Sequence, residues 1–259
     1  MKYLAAVHTD VGTRRKKNQD SMIVMEAQTG TGNILFAAVC DGMGGLDRGE
    51  AASAAMIHAF ADWFEARLIY IARAVRDGTF QKETLREEWS SLIENTSRCI
   101  EDYGRERHIC LGTTAVGILI CGDRYYTLNV GDSRAYLLTD RIFLLTKDQT
   151  YVQQELDAGR MTYEQSLTHP KRNLLLQCVG AGADVRPAYG QGRAAPGQLF
   201  LLCSDGFRHV VGEDELYRTF APSKMNGEEI MKKSLSSMTR RIKERGETDN
   251  ISAMLIRLE

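Results

Sequence analysis

The stretch Asn33-Ile-Leu-Phe-Ala-Ala-Val-Cys40, followed directly by Asp41-Gly42-Met43-Gly44-Gly45, is the most informative part of this chain. Residues 33–40 form a continuous apolar run of strand length, which predicts a strand buried on both faces. The run ends on a carboxylate, and burying an unpaired charge is costly. The glycines that follow allow a sharp turn and a close backbone approach to a bound ion. Taken alone, the stretch fits a cation site and a solvated Asp-Gly turn equally well.

Other aspartates also stand at the edges of strand-like apolar runs. They are Asp20, Asp132, Asp205 and Asp249. Together with Asp41 they predict a carboxylate cluster at one end of a sheet core. Carboxylate oxygens without a His or Cys ligand pattern favour Mg²⁺, Mn²⁺ or Ca²⁺ over zinc. Carboxylates from distant parts of a chain are typical of a two-metal site. Asp41 is expected to bridge the ions, and the carbonyl of Gly42 can also reach one of them.

A basic run, Arg14-Arg15-Lys16-Lys17, precedes Asp20. Such a run is commonly a solvated charged loop. Beside a metal cluster, however, a guanidinium can hold a phosphate dianion through two parallel hydrogen bonds.

The composition is that of an ordinary soluble globular protein. The chain has 259 residues, of which 43% are hydrophobic and 26% charged, and its net charge is -1. This charge gives no electrostatic reason to expect nucleic-acid or membrane binding. No apolar run is long enough to span a bilayer, and the N-terminus does not have the pattern of a signal peptide. Few prolines and no low-complexity tract predict a single domain, residues 1–259, expected to be a monomer.

The chain contains six cysteines, most of them within apolar runs, and none forms a C-x-x-C pair. This pattern favours a reducing cytoplasm over a disulfide framework.

The order of predicted elements is typical of an α+β fold. Short strands are expected at 3–8 and 21–26, and consecutive antiparallel strands over 112–145. Later strands are expected near 185–190, 198–203 and 250–258. Helical periodicity predicts a hairpin of two helices, 48–75 and 82–103, and a final helix over 227–244. Residues 147–178, with two short helices, form a long insertion of the kind that is often functional.

Other catalytic motifs are weak or absent. Cys99 and Arg105 have the spacing of a thiol phosphatase but lie in a helical pattern with acidic neighbours. The chain has no phosphate-binding loop, dinucleotide fingerprint or nucleophile elbow. Met43, His58 and His209 are interpreted as packing or surface residues.

Short motifs in a fixed order resemble those of a known family. They are Gly12-x-x-Arg15-x-x-Asn18-Gln19-Asp20-Ser21, Asp41-Gly42-Met43-Gly44-Gly45, Gly112-Thr113-Thr114, Gly131-Asp132-Ser133-Arg134, Ser204-Asp205-Gly206 and Asp249-Asn250. The family is that of the metal-dependent Ser/Thr protein phosphatases (PPM, type 2C), in its compact bacterial form. The resemblance implies a β-sandwich of two antiparallel sheets flanked by helical pairs, in four αββα layers, with residues 147–178 as a flap beside the site.

The resemblance also implies a role for each matching residue. Asp41 would bridge two Mn²⁺ or Mg²⁺ ions, with the Gly42 carbonyl on one ion and Asp205 and Asp249 on the other. Asp20 would bind or orient water on the ions. Asp132, with Asp205, matches a third, weaker ion position. Arg15 would hold the substrate phosphate.

The expected reaction is direct hydrolysis of phosphoserine or phosphothreonine in proteins by a metal-activated water, without a phosphoenzyme. A cognate Ser/Thr kinase is the expected partner. Two departures from the family pattern are Met43, where many members have the His that is a candidate acid, and Gln19, where many have Glu. No general acid can therefore be assigned. A regulatory module on the same fold and a two-metal phosphodiesterase remain alternatives.

Overall fold

A computed structural model of the protein describes residues 1–30, 32–44, 48–181 and 184–259. Its strands are β1 (Tyr3–Asp10), β2 (Asp20–Thr29), β3 (Gly32–Gly44), β4 (Leu111–Thr113), β5 (Ala115–Cys121), β6 (Arg124–Val130), β7 (Arg134–Leu138), β8 (Ile142–Leu144), β9 (Ala188–Arg193), β10 (Leu199–Cys203) and β11 (Ile251–Leu258). Its α-helices are α1 (Gly49–Arg76), α2 (Lys82–Arg107), α3 (Tyr151–Asp157), α4 (Tyr163–Thr168), α5 (Asp205–Arg208), α6 (Glu213–Phe220) and α7 (Glu228–Glu244).

The strands form two antiparallel sheets that pack face to face. The first sheet has the order β1-β11-β10-β7-β8, and the second has the order β2-β3-β5-β6-β9, with β4 paired to β3. Helices α1 and α2 cover the outer face of the second sheet, whereas α6 and α7 cover the first. This arrangement confirms the predicted four-layer α+β sandwich.

The position of β3 between two packed layers explains why its residues are apolar without alternation. Its odd-numbered side chains, Leu35 to Val39, pack between the two sheets. Its even-numbered side chains, Ile34 to Cys40, pack against the helical layer. Because successive side chains of a strand point to opposite faces, both faces need apolar residues here. The prediction of a strand buried on both faces is confirmed.

Aromatic side chains fix the helical pair on this sheet. The ring of Phe36 lies 5.2 Å from that of Phe60 and 5.4 Å from that of Trp63, both on α1. Trp89 brings α2 into the same cluster, 6.4 Å from Phe36. All four side chains are almost completely buried, so the helical hairpin is held mainly by apolar packing.

The chain does not turn directly after Asp41, which corrects the prediction from the glycine-rich stretch. Strand β3 continues to Gly44 and pairs there with β4. A Cβ atom on Gly42 would lie 2.2 Å from the carbonyl oxygen of Gly49 and 2.5 Å from that of Gln19. Gly42 is therefore needed for close backbone packing against the start of α1. Gly45 lies outside the described residues.

Several boundaries differ from the predicted ones for identifiable reasons. Helix α2 extends beyond its predicted end at residue 103 and includes Gly104. Glycine is present there because of close packing and not as a helix stop, since a Cβ atom would lie 2.7 Å from the carbonyl oxygen of Ile109. Strand β9 begins only after Pro187, because proline has no N–H to donate to a ladder. Helix α6 was not predicted, although its buried Leu216 and Phe220 have helical spacing.

Residues 147–178 contain the two predicted short helices, α3 and α4. A bridge between Thr150 and Leu175 closes the base of this segment. Its interpretation as a flap, and that of residues 1–259 as one domain, stay predictions. Among the described helices, none is both long enough and apolar enough to cross a membrane.

The aromatic cluster makes a prediction about stability. Phe36→Ala should lower the free energy of unfolding by about 3–5 kcal/mol, since it removes a fully buried ring. Ile69→Ala, at a side chain that is 66% exposed on α1, should change it by about 0.5 kcal/mol or less. Urea denaturation of both variants gives the comparison. Similar losses in the two variants would contradict the assigned packing.

Candidate metal centre

One end of the sandwich gathers all five predicted aspartates. The antiparallel pairing places Asp20, at the start of β2, opposite Asp41 of β3. Strand β10 ends at Cys203, and Asp205 follows it after Ser204. Asp249 lies just before β11, the strand that pairs with β10. Burial and then the charges of Asp20, Asp205, Asp132 and Asp249 raise the pKa of Asp41 well above its usual value. The five carboxylates therefore share one electrostatic environment.

These side chains are near one another but are not arranged as a finished ligand shell. Within residues 1–30, 32–44, 48–181 and 184–259, no three Asp, Glu, His or Cys side chains form a group that could hold a metal ion as they stand. Two of the carboxylates, those of Asp132 and Asp249, are engaged by guanidinium groups. The metal-ligand roles of Asp20, Asp41, Gly42, Asp132, Asp205 and Asp249 stay predictions.

Asp20 is anchored at one carboxylate oxygen and unpartnered at the other. Its Oδ2 accepts a hydrogen bond from the hydroxyl of Ser204 at 3.0 Å. Its Oδ1 is buried and accepts no hydrogen bond from any described residue. Burial raises the pKa of Asp20 to about 6, with the hydroxyls of Ser252 and Ser204 opposing the rise and nearby Asp205 adding to it.

Asp205 has the same asymmetry. Its Oδ1 is buried without a hydrogen-bond partner in the described part of the chain, and its Oδ2 lies 3.3 Å from Nε2 of His209. Buried polar atoms in native proteins nearly always have a partner. Unpartnered carboxylate oxygens within an all-oxygen donor set suit a hard divalent cation such as Mg²⁺ or Mn²⁺. The residues at this end therefore fit the predicted ions by their chemistry.

The backbone of Asp41 is held firmly between neighbouring strands. Its N–H donates to Oγ1 of Thr114 at 2.9 Å. Its carbonyl oxygen accepts from the Thr114 N–H at 2.9 Å and from Oγ1 of Thr113 at 3.0 Å. The Thr114 hydroxyl is paired in turn with that of Ser133 at 2.7 Å. These bonds explain why Thr113 and Thr114 form a motif with Asp41 although they lie far from it in sequence.

Arg15, the residue expected to hold the substrate phosphate, is paired with Asp249 in the structure. Its Nε and terminal nitrogen donate to the two carboxylate oxygens of Asp249 at 2.8 and 2.7 Å. The predicted phosphate-binding residue and a predicted metal ligand are thus paired with each other. The Arg15 side chain is 49% exposed, so the pair lies at the rim of the site.

The loop that carries Arg15 is fixed by Asn250. Its side-chain amide nitrogen donates to the carbonyl oxygens of Val11 at 2.9 Å and Lys17 at 3.0 Å. Its side-chain oxygen accepts from the Gln19 N–H at 2.8 Å. One amide side chain therefore aligns the Arg15 loop, the start of β2 and the Asp249 segment.

His209 corrects its interpretation as a packing or surface residue. The imidazole lies between Asp205 and Glu247, with Nδ1 3.4 Å from the Glu247 carboxylate. Burial raises the pKa of Glu247, but His209 and the N–H groups of Asp249 and Thr248 outweigh this effect and hold it at about 2. The His209 position, four residues after Asp205 on a helical turn, is the sequence signal that could have identified the contact.

Arg208 is a second residue that the sequence analysis missed. It lies at the end of α5, and its terminal nitrogen donates to the carbonyl oxygen of Asp132 at 2.9 Å. The same nitrogen is 3.4 Å from the Asp132 carboxylate. Burial and then Asp205 raise the pKa of Asp132 to about 7, while Arg208 opposes the rise.

The close contact between Gly12 and Asp249 can be tested separately from backbone strain, because Gly78 also has a positive φ but has no such contact. Gly12 has φ +80°, and a Cβ atom there would lie 2.0 Å from the carbonyl oxygen of Asp249. Gly78 has φ +66° with nothing within 4 Å of a Cβ atom. Gly78→Ala should cost about 1–2 kcal/mol of unfolding free energy, whereas Gly12→Ala should cost clearly more. Chemical denaturation measures both, and equal costs would show that the contact with Asp249 does not matter.

Comparison with known proteins places this geometry in context. A family model described as protein phosphatase 2C matches residues 10–255. The serine/threonine protein phosphatase PstP of Mycobacterium tuberculosis is 32% identical over 217 residues, which cover 82% of this chain. The matched region covers only 37% of PstP, so the chain spans little more than a third of that relative's length.

Solved structures resemble the whole described sandwich. Serine/threonine phosphatase Stp1 from Staphylococcus aureus superposes with a TM-score of 0.84 at 27% identity, covering 100% of this chain and 96% of that one. The catalytic domain of PstP in complex with two manganese ions superposes with a TM-score of 0.76 at 26% identity, covering 99% of each chain.

Proposed function

Because this chain belongs to the protein phosphatase 2C family, we propose that it is a metal-dependent phosphatase that hydrolyses phosphoserine and phosphothreonine in proteins. The observation that carries this proposal is the set of five aspartates at one end of the sandwich, with unpartnered buried oxygens on Asp20 and Asp205 and a guanidinium at the rim. The names of the relatives, which are serine/threonine phosphatases, support the same substrate class.

Two divalent ions, Mn²⁺ or Mg²⁺, are proposed at this end. Asp41 would bridge them, and the Gly42 carbonyl, Asp205 and Asp249 would complete their protein ligands, with Asp20 holding a water. The manganese-bound structure of PstP supports the choice of metal and the count. Such ions supply charge that acidifies water and neutralises the oxygens of a transferring phosphoryl group.

Residues of the chain itself align the proposed metal ligands and supply a positive charge that would bind the substrate phosphate. Thr114 and Ser133 hold Asp41 in place, and Ser204 holds Asp20. Arg15 would exchange its pairing with Asp249 for a bidentate pairing with the substrate phosphate. Its exposure at the rim suits this exchange, because a phosphorylated side chain would arrive from solvent.

The partners and location follow from the proposed chemistry. A phosphatase of this class needs a Ser/Thr protein kinase to generate its substrates, so a cognate kinase is proposed as its functional counterpart. A monomer is proposed, with no nucleic acid or membrane as partner. The cysteines of the chain are free thiols, and Cys40, Cys121 and Cys203 are buried, which supports a reducing compartment such as the cytoplasm.

The first test is hydrolysis of a phosphothreonine peptide by the full chain. Activity should appear with Mn²⁺ and disappear with EDTA. Asp41→Asn should lower kcat by at least about 10²–10³-fold, since it weakens the charge that holds the ions. The exposed Asp62→Asn on α1 is the matched control and should retain wild-type activity. Near-wild-type turnover by Asp41→Asn, or activity in EDTA, would overturn the proposed function. A phosphodiester substrate panel in the same assay would expose the alternative two-metal hydrolase.

The pairing of Arg15 with Asp249 makes a second prediction with two readouts. Arg15→Ala should lower kcat/KM by about 10–100-fold, the equivalent of losing a charge-assisted hydrogen-bond pair. The same variant should bind Mn²⁺ more tightly, because Arg15 no longer competes for Asp249. Steady-state kinetics and isothermal titration calorimetry measure the two effects. Arg14→Ala, at the exposed neighbouring position, is the control. Weaker Mn²⁺ binding by Arg15→Ala would contradict the competition.

A further inference from the structure

A buried arginine, Arg208, contacts Asp132 at the carboxylate end. The side chain of Arg208 is only 12% exposed. One terminal nitrogen contacts the Asp132 carbonyl oxygen at 2.9 Å, the Asp132 carboxylate at 3.4 Å and the Asp148 carboxylate at 3.1 Å. Its Nε has no hydrogen-bond partner among the described residues, so these contacts depend on the charged tip.

A second arginine completes a balanced set of charges. Nε and a terminal nitrogen of Arg134 donate to the two oxygens of Asp148 at 2.7 and 2.8 Å. Because Arg134 pairs with both oxygens of Asp148, Asp148 does not depend on Arg208 alone, and Arg208 is shared between Asp148 and Asp132. When all four groups are ionised they carry two negative and two positive charges, and the Asp132, Asp148 and Arg208 side chains are at least 88% buried.

This balance of charge affects whether an ion can bind at Asp132, where the family resemblance predicts a third ion. A buried carboxylate is stable only when a cation or several donors compensate its charge. Arg208 already provides that cation, and a divalent ion on the same carboxylate would lie close to a fixed guanidinium. The donor set at Asp132 therefore does not fit an additional ion, in contrast to Asp20 and Asp205 with their unpartnered oxygens.

We propose that Arg208 takes the place of a third divalent ion at Asp132, so that this chain binds two ions and not three. The inference rests on the proposed metal-dependent function and concerns the composition of its metal centre. Arg208 is thus a positioning residue, which holds Asp132 through its carbonyl and carboxylate oxygens. Because Asp148 belongs to the 147–178 segment, the same guanidinium also fastens the base of that segment to the metal end.

The test is the number of Mn²⁺ ions bound, measured by equilibrium dialysis of the metal-stripped full chain against millimolar Mn²⁺. The wild type should bind two ions. Arg208→Leu, which removes the charge but keeps an apolar stem, should bind three. Arg208→Lys should bind two, because a cation remains. Adding Asp132→Asn to Arg208→Leu should return the count to two. Arg241→Leu, at a partly buried arginine paired with Glu215, is the control and should bind two.

The outcomes separate this inference from the proposed function. Three ions in the wild type, or two in a folded Arg208→Leu variant, would overturn the inference and leave a metal-dependent phosphatase. No Mn²⁺ binding by the wild type would overturn both. Circular dichroism checks the folding of each variant. If Arg208→Leu does not fold, Arg208→Gln removes the same charge while keeping a donor, and its ion count decides in the same way.

Discussion

The constraint on which this structure depends is the mutual repulsion of carboxylates gathered at one end of a β-sandwich. Burial and neighbouring negative charges raise the pKa values of Asp20, Asp41 and Asp132 together. Such groups cannot hold one another in place, so the surrounding fold must do so. The strand pairing that sets Asp20 opposite Asp41 is the main device, because it is maintained by the backbone ladder between two long strands rather than by the acids themselves.

Polar side chains from distant segments add a second layer of support. Asn250 links three backbone segments at the rim, and His209 links Asp205 to Glu247. The side chains of Asn250 and His209 each contact more than one polar partner. A network of this kind rigidifies a site when its members are paired and weakens it when they are not. Among the buried carboxylate oxygens of the five aspartates in the described structure, one of Asp20 and one of Asp205 have no partner, and they point to the place where a ligand is needed.

Much of this arrangement could be predicted from the sequence, because it depends on local patterns. The apolar run of β3, the helical periodicity of α1 and α2, and the ordered motifs led to the correct fold and to the protein phosphatase 2C family, and both are confirmed. The pairing of Arg15 with Asp249 could not be predicted, since it joins residues more than 230 positions apart through side-chain geometry. The contact of Arg208 with Asp132 depends on side-chain geometry in the same way, whereas the helical spacing of His209 after Asp205 was a local signal that was overlooked. The straight course of β3 past Asp41 depends on packing against α1.

The position of β11 has a consequence for the order in which the protein folds. This strand lies between β1 and β10, so the first sheet cannot close until residues 251–258 are inserted. The pairing of β1 with β11 joins segments about as far apart in the sequence as any in the chain. Contacts of such long range form slowly, because a large loop must close first. Asp249 and Asn250 directly precede β11, so the carboxylate end is assembled only when this late step is complete. A partly folded chain without β11 would thus have its second sheet and the helical pair α1 and α2, but not an assembled carboxylate end.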